Sequence, residues 1–179
     1  FKGENADYKV SAEIEGRPNS KFHIGTLNPN SQSIENYLNN TKENQIVIFS
    51  IKDEGTRALD PNTLSELSKL DLKADLMDKS RWSYIGIGGK IKGLNPVEEL
   101  KEQKIELSFN KGDKLGDLEL PFSLKVASAG YEVGNTSSIV IDGKEYSQNR
   151  RGMNIVVYDL DKGEVVDSVN FDTYLSVYR

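Results

Sequence analysis

Two short segments put polar side chains where a ligand could meet them. Lys52-Asp53-Glu54-Gly55 sets charges directly after an apolar run, and Asn149-Arg150-Arg151-Gly152 sets two cations at a predicted turn. Polar groups at the end of a rigid strand are well placed for binding. A guanidinium offers a planar fork of donors and a carboxylate offers acceptors. Together they suit sugar hydroxyls, which donate and accept. Trp82, the sole tryptophan, adds a flat apolar face for a sugar ring.

Other chemistries find little support. His23 is the sole histidine and sits in an alternating stretch beside Phe22 and Ile24, so a nucleophile–base pair is not expected. Asp53 and Glu54 are adjacent, which in a strand points them to opposite sides, unlike a hydrolytic carboxylate pair. Asp159-Leu160-Asp161 with Gly163 resembles part of a calcium loop but lacks its other ligands, and reads as a hairpin turn. Gly86, Gly88 and Gly89 lack phosphate-loop spacing and read as a strand exit. We therefore expect no catalytic residues, no cofactor and no metal.

The composition agrees. The 179 residues make about one domain. Lys plus Arg number 23 against 28 Asp plus Glu, a net charge of −5. That balance lacks the basic footprint of nucleic-acid binding and disfavours an anionic membrane surface. No apolar run approaches the ~20 residues of a membrane span. Cysteine is absent, which excludes disulfides and thiolate metal sites. The sequence opens on Phe1 without a signal-peptide pattern and reads as a piece of something longer.

These residues need elements to hold them. Strand periodicity marks 8–14 and 21–27. Ser31 is a candidate cap for a helix over 31–40, with Ile34, Tyr37 and Leu38 on one face. Residues 45–51 form a continuous β-branched apolar run, the pattern of a buried central strand. Asp60-Pro61 opens a helix over 61–70, and residues 82–87 form a further strand. Asn95-Pro96 signals a short helix over 96–102. Strands follow at 105–109 and 118–126 around the turn Asn110–Gly116. Hairpins pair 138–141 with 144–146 across Asp142-Gly143, and 153–158 with 165–171. About nine strands and three helices make an α+β domain, an antiparallel β-sandwich-like fold.

Four motifs carry a family resemblance. Arg151-Gly152-Met153-Asn154 and Phe171-Asp172-Thr173-Tyr174 lie in one half; Lys52–Gly55 and Trp82-Ser83-Tyr84-Ile85-Gly86 lie in the other. They resemble the GG-type lectin-like domain of the interleukin-like EMT inducer (PANDER) family. The same domain forms the stem of the protein O-mannose N-acetylglucosaminyltransferase. The resemblance covers 31–90 and 123–174, with the halves in reversed order, so it implies one circularly permuted domain over 1–179. Residues 91–122 would be the new connection and 1–27 added strands.

The resemblance also implies a ligand. In the stem relatives the domain binds a β-linked glycan of N-acetylglucosamine type. Its contacts match Arg151, Asp53 and Lys79 here, the last an arginine in the relatives. We expect a non-catalytic carbohydrate-binding module, extracellular or at the cell surface, within a larger glycan-processing or glycosyltransferase protein. The alternative is a protein-interaction or signalling domain of the secreted, cytokine-like type. Arg151, Asp53, Lys79 and Trp82 should then share one cleft.

Overall fold

A computed structural model of the chain describes residues 33–174. The described residues hold eleven strands, two α-helices and one 3-10 turn. The readings for 8–14 and 21–27, with Ser31 and His23, lie outside them.

Strand β1, Gln45–Asp53, organises the rest, and its first seven residues are buried. One edge pairs antiparallel with β10, Gly152–Asp159, from Gln45 opposite Asp159 to Lys52 opposite Gly152. The other edge is shared. Residues Val47 to Ser50 pair antiparallel with β2, Ser83–Gly88. Lys52 and Asp53 then pair in parallel with β7, Leu124–Gly130. A strand with three neighbours splits its sheet into two arms. One arm continues from β10 to β11, Glu164–Phe171, and from β2 to β3, Val97–Lys101. The other places β4, Ile105–Phe109, and β8, Thr136–Ile141, either side of β7, with β9, Lys144–Glu145, beyond. A separate ribbon joins β5, Lys114–Leu115, to β6, Leu118–Glu119.

Buried serines close the split. Ser50 Oγ donates to the Ala127 carbonyl at 2.6 Å, and Ser128 Oγ donates to the Ile51 carbonyl at 2.6 Å. Ser128 Oγ also accepts from the Tyr84 amide, and Ser83 Oγ from the Gly130 amide. These hydroxyls satisfy backbone groups that neither arm pairs.

The split explains why 45–51 reads as unbroken apolar sequence. Ile46 and Ile48 face the space between the arms, against Ile85, Phe122, Leu124, Ile139 and Val156. Val47, Phe49 and Ile51 face the opposite side, against Met153, Ile155, Leu38 and Leu67. Leu38 belongs to α1, Ile34–Asn39, and Leu67 to α2, Pro61–Ser68. The result is a β-sandwich-like fold with helices on its outer face. Asp60 caps α2 by accepting from the Thr63 amide at 2.9 Å, with Pro61 in the first turn. Ser33 caps α1 through the Asn36 amide.

Residues 96–102 depart from expectation, because Val97–Lys101 is a strand, not a helix. It covers the free edge of β2 from Ser83 opposite Lys101 to Ile87 opposite Val97. A single turn of helix is costly to nucleate, and an open strand edge supplies bonds at once. Asn95 donates its amide to the Leu115 carbonyl and does not begin a helix. The expected strand at 118–126 is likewise divided, into β6 and β7. The Asp142-Gly143 hairpin holds, with φ of 48° and 80°, both positive as a type I′ turn requires.

Candidate functional site

β1 ends in a turn built from its own sequence. Asp53 adopts φ 66°, left-handed, which aspartate tolerates better than most residues. Glu54 then turns inward and is 3% exposed. Its Oε1 accepts from the Thr56 amide and hydroxyl, at 2.8 and 3.0 Å, and from the Arg57 amide at 3.3 Å. Its Oε2 accepts from the Ser80 hydroxyl at 2.5 Å and the Arg81 amide at 2.8 Å. Burial pushes this carboxyl up, but the bonds from Ser80, Thr56 and Arg81 outweigh it and hold the group below its ordinary value. Glu54 thus ties the loop after β1 to the loop before β2. At Gly55 a Cβ would lie 2.6 Å from the Ile51 side chain, so a larger residue here would have to displace Ile51.

The second motif half meets the first at the same end of the sheet. Gly152 has φ 101°, and a Cβ there would lie 2.1 Å from the Phe171 carbonyl. Asn154 accepts from the Arg150 amide at 3.1 Å and donates to the Arg150 carbonyl at 2.8 Å, which fixes the turn. Asn170 donates to the Arg151 carbonyl at 3.1 Å. Arg151 grips Asp172 through Nε at 3.1 Å and Nη2 at 2.8 Å, leaving the Nη1 edge to other acceptors. These bonds raise the guanidinium further above its ordinary value; burial opposes them, and Asp53 and Tyr174 add to them. Lys52 Nζ donates to the Asn149 carbonyl at 3.0 Å and binds the two halves together.

Tyr174 joins these groups to a cleft. The Arg151 guanidinium lies 4.6 Å from its ring centre and that of Arg57 lies 4.9 Å away. The Ala58 amide donates to the Thr173 carbonyl at 2.6 Å, which holds the Phe171–Tyr174 segment beside the loop after β1. The cleft has a volume of about 350 Å³ and is walled by Thr56, Arg57, Met77, Ser80, Arg81 and Tyr174 among others. Guanidiniums donate, hydroxyls do both, and Met77 and the tyrosine ring supply apolar surface. That mixture fits a small polyhydroxylated ligand.

The expected residues fall into two pairs. Arg151 and Asp53 are near enough for the Asp53 charge to act on Arg151. Lys79 and Trp82 form the other, with Nζ 5.4 Å from the indole centre. None of these four lines the cleft, whereas their chain neighbours Glu54, Asp78, Ser80 and Arg81 do. Sequence reasoning missed Arg57, Ser80, Arg81 and the pinning role of Glu54. Tyr174 was visible only as the last letter of a motif. Asp159 is taken up by the turn, accepting from the amides of Asp161 and Lys162 at 2.9 and 3.0 Å. Among the described residues no three His, Cys, Asp or Glu side chains gather as a metal site, and no helix is long and apolar enough to cross a membrane.

Comparison with known families reaches the same stretch. Residues 16–90 match the model of the interleukin-like EMT inducer family. That stretch is similar to the family. The segment holds β1, α2 and β2, and with them Asp53, Glu54, Arg57, Lys79, Arg81 and Trp82. It covers under half of the 179 residues and begins upstream of the 31–90 stretch that carried the resemblance. The Arg151–Tyr174 half lies outside the interleukin-like EMT inducer match and joins it through the β1–β10 pairing. No curated protein and no solved structure matches the chain.

Proposed function

We propose that this domain is a non-catalytic glycan-binding module, acting outside the cell or at its surface within a larger glycan-processing protein. The observation that carries the reading is the convergence at one sheet end. Arg151 feels the Asp53 charge and sits beside Tyr174, which walls the cleft with Arg57, Ser80 and Arg81. The ligand is a glycan of N-acetylhexosamine type, with Arg151 and Asp53 meeting its hydroxyls from beside the cleft and Lys79 and Trp82 adding contacts from the segment before β2. The Glu54 oxygens are already engaged by five donors, which weighs against a role in acid–base chemistry.

The two motif halves are proposed to be one permuted domain closed within a single chain. The pairing of β1 with β10 from Gln45 to Lys52 supports this, as does α1 against β11, where Tyr37 donates to Asp167 at 2.7 Å and packs at a tilt against Phe171. The family match favours a second reading, a cytokine-like signalling domain that binds a protein. A glycan array probed with the purified chain separates the two. The lectin reading expects a restricted set of hits lost in Arg151→Ala; an empty array leaves the signalling reading.

A further inference from the structure

Arg81 reaches beyond the cleft. It lines the cavity, yet its guanidinium lies 4.9 Å over the Tyr131 ring and its Nη1 bonds Glu132 at 2.9 Å. Tyr131 is 54% exposed, the more exposed of two large apolar side chains facing solvent among the described residues. A single exposed aromatic is ordinary in itself. This one is held in place. It opens the 3-10 turn Tyr131–Val133 directly after Gly130. Gly130 lies so close to the backbone before β2 that a Cβ would be 1.7 Å from the Arg81 carbonyl. Arg81 is fixed in turn, with φ 63° and its amide on Glu54. Backbone contact therefore sets the ring and the guanidinium together.

An aromatic ring backed by a guanidinium and open to water is a preorganised platform. Tyrosine offers large rigid contact area at small cost in conformational entropy. The C–H face of a pyranose is the complementary surface, and its ring-edge hydroxyls meet Arg81 and Glu132. We propose that Tyr131 and Arg81 form a second sugar subsite, so that the ligand is an oligosaccharide running from the cleft across Arg81 to Tyr131. This rests on the lectin reading of the cleft.

The test is calorimetric titration with β-linked N-acetylglucosamine as mono-, di- and trisaccharide, on the chain and on Tyr131→Ala and Tyr131→Phe. The subsite predicts that lengthening the glycan tightens binding by about five- to tenfold, roughly the worth of one stacked ring. Tyr131→Ala loses that gain, keeps the monosaccharide affinity and keeps its melting temperature; Tyr131→Phe retains the gain. Equal affinity at every length, or a gain that survives Tyr131→Ala, overturns the subsite and leaves the lectin reading standing. No binding at any length overturns both.

Discussion

Glu54 shows how one side chain sets the site. It is buried and is held ionised by hydrogen-bond donors from two loops. Glu54→Gln turns one acceptor into a donor facing another donor, so we expect a loss of about 1–3 kcal/mol in urea denaturation. The pH dependence has a definite sign. The folded-state pKa is depressed below 4.5. The carboxylate's contribution is therefore complete above that value and is lost as pH falls through the folded pKa. Denaturation midpoints measured from pH 7 downward should show this acid loss in the wild type and a weaker one in Glu54→Gln. Arg151 is the complementary case. Its pair with Asp172 is partly exposed, with side chains 39% and 28% accessible, so it adds little to stability. Arg151→Ala should weaken glycan binding by ~1–3 kcal/mol with a small change in melting temperature, and Arg151→Lys should not restore it, because a point charge lacks the fork. Both sites were half-legible from sequence. Thr56 lies two residues from Glu54 and belongs to its own turn, whereas Ser80 and Arg81 arrive only through the fold.

At the scale of elements, β1 and the last hairpins were legible because period and turn chemistry are local. Asp142-Gly143 needs two positive φ angles and Asp60-Pro61 needs a helix start, whatever surrounds them. Val97–Lys101 was not, since its state depends on the free edge of β2. The split of the sheet was hidden for the same reason, as the serines that bridge it give no pattern. Glycine substitutions test how these elements meet. Gly152→Ala drives a Cβ against the Phe171 carbonyl at a left-handed φ, and should cost on the order of 2–4 kcal/mol. Gly143→Ala, with nothing within 4 Å, should cost only about 1 kcal/mol from φ 80°. Equal losses in thermal denaturation would mean that the close approach of β10 to β11 is not what the glycine serves.

At the scale of the molecule, the two motif halves share β1 as a common centre, with helices on one side and the second arm on the other. Closure within one chain predicts a monomer by light scattering at all concentrations. A swapped arrangement, in which each chain completes another, predicts an obligate dimer. The four motifs supplied Glu54 and Tyr174 to the cleft, because both sit just past strand ends. Most of the cleft wall, Arg57, Ser80 and Arg81 among it, lies between motifs. The central claim is that this cleft binds a sugar. Amide chemical shifts on titration with N-acetylglucosamine test it most directly. Saturable shifts are expected at Glu54, Thr56, Arg57, Ser80, Arg81, Arg151 and Tyr174, with the β5–β6 ribbon unmoved. No shifts, or shifts confined to that ribbon, would contradict it.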